Sequence, residues 1–390
     1  MAALTWSSSL GALPLLRSGS LSLNPVLGEA AANLRADLEN VEPDAMARAV
    51  AGAARGRMRD LITGIEIYRA HPYRRSLPDP PEVWSEGSSR LLDYGGPEGR
   101  GVPLLVVPSL INRAYVLDLT ERASLLRWLG TEGFRPFLID WGRPGAEERC
   151  FTLTDYIAGR LERALDWVLA TAGRPPLVVG YCMGGLLALA LALRRQGDLV
   201  GLALLATPWD FHAGQGAQGR FVAASLTSFA PLLEALGELP VDAIQGLFAA
   251  LDPQLVVRKF LAFSRLDPGG AKAAAFVALE DWLNDGVPLA APVARECLAG
   301  WYGENKTANG RWRVAGQAVA PGALDLPTFC LIPAQDRIVP PDSAAALAAA
   351  IPGAESLTPA AGHIGMVASA RAPTQVWRPL ARWLAARQAG

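Results

Sequence analysis

Apolar runs and amphipathic segments alternate along two parts of the chain. The apolar runs have the length of strands buried on both faces of a sheet: PLLVVP (103–108), RPFLIDWG (135–142), PPLVVG (175–180) and LVGLALLATP (199–208). The segments between them have helical spacing: TERASLLRWLG (120–130), TLTDYIAGRLERALDWVLATAG (152–173) and a helix from about Gly184 to Arg195. This alternation predicts an α/β fold with a mostly parallel sheet and helices on both faces.

A long interval without the alternation separates these elements from the last ones. The sheet pattern resumes with LPTFCLIPAQD (326–336) and AESLTPAAGH (354–363), and the final helix is TQVWRPLARWLAARQ (374–388). The interval 210–320 is too long for a loop of a compact domain. We therefore predict a core of residues 101–209 and 321–390. Residues 210–320 are predicted to form a helical cap over the carboxyl ends of the strands, where open α/β sheets bind ligands.

Residues 1–100 are predicted to lead into the sheet. The first thirty or so residues have no clear period and are interpreted as a loose tail, whereas Glu29–Ala70 has helical spacing that predicts one or two helices. SSRLLDYG (88–95) predicts a short strand. The N-terminus has no basic segment ahead of its apolar part, and no uncharged apolar run reaches 18 residues, so neither a leader nor a transmembrane segment is expected.

Composition, charge and motifs argue against several classes of function. Hydrophobic residues make up 51% of the 390 and charged residues 19%, with a net charge of −1, which gives no general electrostatic reason to bind nucleic acid. No glycine-rich phosphate loop occurs. The cysteines have no metal-ligand spacing and are typical of a reduced, cytoplasmic protein: Cys150, Cys182, Cys297 and Cys330. Neither a metal nor a separate cofactor is expected.

The segment VVGYCMGG (178–185) places Cys182 at a turn between a predicted strand and a predicted helix. Gly180 and Gly184 flank it at the spacing of the turn that holds the nucleophile of an α/β-hydrolase. The Met183 N–H then begins the helix and is a candidate oxyanion donor. The second donor is expected in the loop after strand 103–108, at Leu110 or Ile111, and we select Ile111.

Two further residues complete a candidate triad. Asp336 follows a strand and His363 follows the next one, so the chain order is nucleophile, acid, histidine, as in α/β-hydrolases. Most free cysteines are simply buried, and this is the interpretation of Cys150, Cys297 and Cys330. A thiol paired with histidine is well suited to thioester exchange, and an apolar cap that excludes water favours acyl transfer over hydrolysis.

Several segments together resemble polyhydroxyalkanoate synthases. GYCMGG is similar to their G-x-C-x-G-G box, and FLIDWGRP, ATPWDF, AQDRIVP and GHIGM are similar to other family segments in the same order. PLLVVPSLINRAYVLDL is similar to the strand and N-(K/R)-x-Y-x-x-D-L segment through Asn112, Arg113, Tyr115, Asp118 and Leu119. Arg337 stands where the family usually has histidine. The length resembles that of the short type of synthase that works with a second subunit.

The resemblance implies an acyltransferase that polymerises (R)-3-hydroxyacyl groups from coenzyme A thioesters and releases coenzyme A. It implies that Cys182 is the nucleophile and that His363 is the base that activates Cys182 or the incoming hydroxyl. Asp336 then orients His363 or assists activation of the 3-hydroxyl, with Tyr115 and Asp118 in support. Coenzyme A is then part of the substrate rather than a cofactor. The implied partner is a second synthase subunit or a second copy of the chain, and the implied location is the cytoplasm or the surface of a polyester granule.

Two other functions stay open on the sequence alone. One is a cysteine hydrolase on the same scaffold, acting as a depolymerase, esterase or thioesterase. The other is a granule-binding homologue without catalysis, which would have no need for Cys182, Asp336 and His363.

Overall fold

The structure is a computed structural model that describes residues 2–96, 99–214 and 216–387. Its internal contacts divide the chain into two units. One unit is the chain up to Tyr73 together with Asp252–Val277, and the other is Arg74–Leu251 together with the chain from Ala278 onwards. The predicted boundaries at residues 209 and 320 stay a prediction.

Helices occupy much of the described chain. In chain order they are α1 (Ala2–Ser18), α2 (Gly28–Asp37), α3 (Pro43–Ala70), α4 (Leu125–Thr131), α5 (Glu162–Ala172), α6 (Met183–Arg194), α7 (Gly216–Leu236), α8 (Val241–Leu251), α9 (Leu255–Phe263), α10 (Ala271–Asn284), α11 (Ala291–Arg295), α12 (Pro341–Ala350), α13 (Gly365–Ala368) and α14 (Arg378–Ala386). Three π-helical segments adjoin α5, α11 and α14: Asp155–Leu161, Glu296–Gly303 and Pro373–Trp377.

The strands are mostly short, as expected for an α/β protein. They are β1 (Glu82–Glu86), β2 (Ser89–Asp93), β3 (Val102–Val107), β4 (Asp118–Thr120), β5 (Ala123–Ser124), β6 (Phe134–Asp140), β7 (Leu177–Tyr181), β8 (Gly201–Leu205), β9 (Glu238–Leu239), β10 (Leu289–Ala290), β11 (Arg313–Val314), β12 (Gln317–Ala318), β13 (Thr328–Leu331) and β14 (Glu355–Leu357).

One eight-stranded sheet organises the larger unit. Its order is β1-β2-β6-β3-β7-β8-β13-β14, and the strands from β6 to β14 are parallel. The hairpin β1–β2 runs antiparallel at one edge. Because parallel strands end at the same edge, the loops that follow β3, β7, β8, β13 and β14 gather on one side of the sheet. The predicted α/β fold with a mostly parallel sheet is confirmed.

Helix α6 lies at the centre of this unit. All its residues from Met183 to Leu193 are buried, because the sequence MGGLLALALAL offers small and aliphatic side chains on every face. Helix α5 covers the sheet as well and ends at Gly173, whose φ of 65° forms the left-handed cap that glycine adopts without strain.

The smaller unit has a core of its own. Phe260 and Phe263 of α9 pack with Val277 and with partly buried side chains of α3. The helices approach closely at Gly64, where an added Cβ would lie 2.3 Å from the carbonyl oxygen of Phe260. The Glu29–Ala70 segment, for which one or two helices are predicted, forms two, α2 and α3.

Three predictions about local structure are wrong. The first residues form α1 rather than a loose tail. Leu13 and Leu16 of α1 pack on Leu38, and the sequence of the first thirty residues does not contain that contact. The helix predicted over 120–130 begins only at Leu125, where Ser124 accepts the Arg127 N–H, and a small hairpin of β4 and β5 precedes it. Cys150 is exposed rather than part of the core.

No helix among the described residues is both long enough and apolar enough to cross a membrane.

Candidate active site

The turn between β7 and α6 holds Cys182 in an uncommon backbone conformation. Its φ of 55° and ψ of −129° lie where residues other than glycine are strained. Two hydrogen bonds fix the turn: Cys182 N donates to Leu205 O over 2.8 Å, and Gly185 N donates to Cys182 O over 2.9 Å. The half-buried thiol is thereby presented at the edge of the sheet where the strands end.

The glycines around Cys182 are required by close packing. An added Cβ would lie 2.5 Å from Gly185 Cα if placed on Gly180, and 2.2 Å from Val107 O if placed on Gly184. Gly185, which the sequence reasoning passed over, is tighter still, because a Cβ there would lie 1.8 Å from Thr207 Oγ1. The turn therefore needs small residues on both sides for steric reasons.

The structure brings Asp336 and His363 together. His363 Nδ1 donates to Asp336 Oδ2 at 2.6 Å, and both residues are buried. Asp336 Oδ1 accepts the backbone N–H groups of Ile338, at 2.8 Å, and Val339, at 2.9 Å. Both carboxylate oxygens therefore have donors, and this fixes the side chain toward the imidazole.

His363 also interacts with the Cys182 side chain. Burial by itself lowers the pKa of His363. The charge of Cys182 and hydrogen bonds with Asp336 and Cys182 raise it by more than that, so the pKa of His363 is about 10. With Nδ1 on Asp336, Nε2 is the nitrogen left for the thiol. Tyr181 steadies this ring, since its hydroxyl donates to His363 O over 3.2 Å and the ring centroids lie 5.2 Å apart. The arrangement suits a thiolate–imidazolium pair.

The two candidate oxyanion donors, the amides of Met183 and Ile111, differ in whether they already have a hydrogen-bond acceptor. The Met183 N–H belongs to the first turn of α6, where amides have no acceptor within the helix. The Ile111 N–H, in contrast, donates to Ser109 Oγ at 3.0 Å and is already engaged. The role of both amides stays a prediction.

Asp118 lies in a buried cluster of charged and polar groups. It accepts two hydrogen bonds from Arg127, at 2.8 and 2.9 Å, and one each from Arg75 and the Tyr94 hydroxyl, both at 3.2 Å. Tyr115 stacks against the same Arg75, whose guanidinium carbon lies 5.2 Å from its ring centroid. These contacts give Asp118 and Tyr115 a structural task; a role in substrate binding stays a prediction.

An apolar cavity of about 110 Å³ lies in the larger unit, beside the loop that holds Asp336. Its wall includes Ile111 and also Val339, whose amide holds Asp336. Helices α7 and α8 and the segment Glu296–Gly303 provide other parts of the wall. Lining residues with polar or aromatic side chains include Asp210, Phe211, Cys297, Tyr302 and Ser343. The sequence pattern identified none of these five as site residues, because they come from distant segments that share no local pattern.

No cluster of three or more potential metal-ligating side chains occurs in residues 2–96, 99–214 and 216–387.

Comparisons with known proteins agree with this geometry. Residues 102–368 match the family model described as the alpha/beta hydrolase fold. The solved structure of Rv0554 from Mycobacterium tuberculosis superposes with a TM-score of 0.50 at 18% identity, over 76% of this chain and 93% of that one, which supports the fold alone. The fold and the elbow at Cys182 define the chain as an α/β-hydrolase-fold protein.

Two curated relatives show to which family within this fold the chain belongs. The poly(3-hydroxyalkanoate) polymerase subunit PhaC of Allochromatium vinosum is 30% identical over 310 residues, which cover 77% of this chain and 87% of the relative. The subunit of the same name from Haloferax mediterranei is 29% identical over 311 residues, or 78% of this chain, which spans only 63% of that relative's length. The chain belongs to the poly(3-hydroxyalkanoate) polymerase family, and the resemblance seen in its motifs is confirmed.

Proposed function

We propose that the protein is an acyltransferase that joins (R)-3-hydroxyacyl groups from coenzyme A thioesters into a polyester through an acyl-enzyme on Cys182. The observation that carries this proposal is the constellation of Cys182, His363 and Asp336 beside an apolar cavity in a chain of this family. The names of the relatives support the substrate class.

The first half-reaction acylates the cysteine. The Cys182 thiolate attacks the thioester carbonyl, an Sγ–C bond forms, and the bond from that carbon to the sulfur of coenzyme A breaks. The released thiolate takes the proton from His363, whose raised pKa keeps that proton available at neutral pH. In this proposal the Met183 amide donates to the negative oxygen of the tetrahedral intermediate.

The second half-reaction transfers the acyl group to an alcohol. His363, neutral after the first step, removes the proton of a 3-hydroxyl group as its oxygen attacks the acyl-enzyme. The ester bond forms, Sγ leaves as the thiolate, and the imidazolium is restored beside Asp336. Because exchange between thioesters is nearly balanced, the acyl group stays activated until an alcohol arrives.

The cavity argues for transfer rather than hydrolysis. Its wall is built mainly from Leu, Ile, Val, Phe and Ala side chains, which exclude water from the acyl-enzyme. A hydrolase on this scaffold would require a water route to Cys182, so we place hydrolysis second. The partner we propose is a second subunit or a second copy of the chain, working in the cytoplasm or at a granule surface.

The test is thiol release from 3-hydroxybutyryl-coenzyme A by the purified protein, alone and with a candidate second subunit. We expect release with polymer as the product. Cys182→Ala should lower release by at least ~10³-fold, since the nucleophile is lost. The matched control is Cys150→Ala, which removes an exposed thiol and should leave release unchanged.

Free hydroxy acid as the main product would replace the proposal by the hydrolase. Thiol release that persists in Cys182→Ala would show that the reaction does not proceed through an acyl-enzyme on Cys182.

A further inference from the structure

A single tyrosine supplies a phenol to the apolar cavity beside the loop that holds Asp336. Tyr302 lies in the π-helical segment Glu296–Gly303 and lines the cavity. Its ring packs edge-on against Phe211 with the centroids 4.8 Å apart, and its backbone oxygen lies 2.9 Å from His212 Nε2. Ring and backbone are therefore both held, and within the described residues the hydroxyl makes no hydrogen bond.

The other polar groups of the wall are acceptors, or weaker donors than a phenol. One Asp210 oxygen accepts from the backbone N–H groups of His212 and Ala213 and from Asn305 Nδ2. Ser343 Oγ accepts the Trp209 N–H at 3.1 Å. Burial holds the pKa of Cys297 well above its usual range, so that group stays a neutral thiol, a weak donor. Tyr302 is the strongest donor that the wall can offer to a ligand.

The cavity that Tyr302 lines reaches the loop that binds the acid of the triad, because Val339 also lines it and the Val339 amide donates to Asp336. Burial raises the pKa of Tyr302, and the charges of Cys182 and Cys297 raise it further, so both sulfurs are within electrostatic reach of the hydroxyl. At neutral pH the group is therefore protonated and acts as a donor rather than a base. An acyl group on Cys182 has its 3-hydroxyl two carbons beyond the carbonyl carbon, so that oxygen stays within a few bonds of Sγ.

We propose that the Tyr302 hydroxyl donates a hydrogen bond to the 3-hydroxyl of the acyl group on Cys182 and thereby selects 3-hydroxyacyl over unsubstituted acyl thioesters. This inference rests on the proposed acyl transfer through Cys182. A site that binds a hydroxyl with a buried donor discriminates against the analogue that lacks it, because the donor is then left unpaired. Tyr302 is thus a specificity-determining residue.

The test compares Cys182 acylation by 3-hydroxybutyryl-coenzyme A and by butyryl-coenzyme A in single-turnover experiments, measured as thiol release per enzyme. In the unmodified protein the hydroxylated substrate should react faster. Tyr302→Phe keeps the ring and its packing on Phe211 and removes the donor, so the ratio of the two rates should fall by roughly 10-fold or more.

The matched control is Tyr156→Phe. Tyr156 is a buried tyrosine in edge contact with Trp141 and Phe151 and is not part of the cavity wall described above. Its replacement should leave the ratio unchanged. An unmodified protein that acylates equally fast with both substrates overturns the Tyr302 inference and leaves the acyl transfer standing, whereas no thiol release with either substrate defeats the proposed function itself.

Equal slowing of both substrates by Tyr302→Phe would assign the tyrosine a packing role and also overturn the inference. Thermal unfolding of the variant separates that result from misfolding. If Tyr302→Phe does not fold, Tyr302→Trp keeps an aromatic ring with a displaced donor, and a ratio equal to that of the unmodified protein would again contradict the proposal.

Discussion

At the scale of single residues, the acid of the triad is held by more contacts than its motif suggests. Asp336 Oδ1 is bound by two backbone amides and Oδ2 by His363. The neighbouring Arg337, which replaces the histidine usual in the family, has an exposed side chain. The backbone can therefore orient the acid whatever side chain follows it.

We expect Asp336→Asn to lower the rate of thiol release by roughly 10²- to 10⁴-fold, because the imidazole loses the group that sets its tautomer and stabilises its charge. Arg337→His should change that rate by less than ~2-fold. Steady-state thiol release with 3-hydroxybutyryl-coenzyme A measures both. A large loss in Arg337→His would mean that residue 337 takes part in holding the acid.

A second prediction at the residue scale concerns pH. The pKa of His363 is about 10 in the folded chain, against an ordinary value of about 6.5 when unfolded. Between about pH 6.5 and pH 10 the folded state therefore binds more protons at His363 than the unfolded state does. The stability from this group is fully present below about pH 6.5 and is lost as pH rises through about 10.

The measurement is the free energy of unfolding of the unmodified protein and of His363→Gln from pH 6 to pH 10.5. The advantage of the unmodified protein should shrink steadily over that range. Cys182→Ala should weaken the pH dependence, because the charge of Cys182 is the main influence that raises the pKa. If the difference in unfolding free energy between the unmodified protein and His363→Gln does not change with pH, the ion pair between Cys182 and His363 is contradicted.

At the scale of elements, the turn from β7 to α6 depends on backbone approach. A Cβ on Gly184 would meet Val107 O at 2.2 Å and Pro108 O at 2.4 Å, and backbone atoms cannot swing aside as a side chain can. We expect Gly184→Ala to lower the free energy of unfolding by roughly 1–3 kcal/mol, as overpacking does.

Gly197→Ala is the matched control, because no heavy atom lies within 4 Å of an added Cβ there. Its unfolding free energy should stay within ~0.5 kcal/mol of the unmodified protein. Chemical denaturation of both variants provides the comparison. If Gly184→Ala is as stable as Gly197→Ala, the glycine serves chemistry rather than packing.

The elements also explain which features could be predicted. Most strands of the parallel sheet appear in the sequence as apolar runs. Cys182 directly follows β7, and Asp336 and His363 lie in the loops after β13 and β14, so local pattern and chain order sufficed to place all three at one edge of the sheet. Tyr302 was missed because a cavity wall assembled from distant helices leaves no local signal. The Ile111 amide was expected to face the site, but the hydroxyl of Ser109 binds it, and the strand-loop pattern does not contain that contact.

At the scale of the whole molecule, Asp118 joins parts of the chain that lie around one edge of the sheet. Its carboxylate binds Arg75, which precedes the edge hairpin, Tyr94, which follows β2, and Arg127 of α4. Arg127 in turn donates to Pro78 O over 2.6 Å. A partly buried ionic cluster centred on the buried Asp118 therefore adds to the strand pairing that holds the antiparallel hairpin β1–β2.

We expect Asp118→Asn to lower the free energy of unfolding by roughly 1–3 kcal/mol, because it removes the charge that Arg75 and Arg127 bind. These arginines are 25% and 33% exposed, so solvent screens part of the loss. The matched control is Asp166→Asn. It breaks the contact with Arg195, but that carboxylate is 57% exposed, so solvent screening limits the loss to about 1 kcal/mol or less. Urea denaturation followed by far-ultraviolet circular dichroism measures both. Because none of the hydrogen bonds and ion pairs of Asp118 in the described part of the chain involves the triad, thiol release per folded molecule should change far less than stability does. A variant of normal stability with lost activity would instead move Asp118 into substrate binding, as its family position suggests.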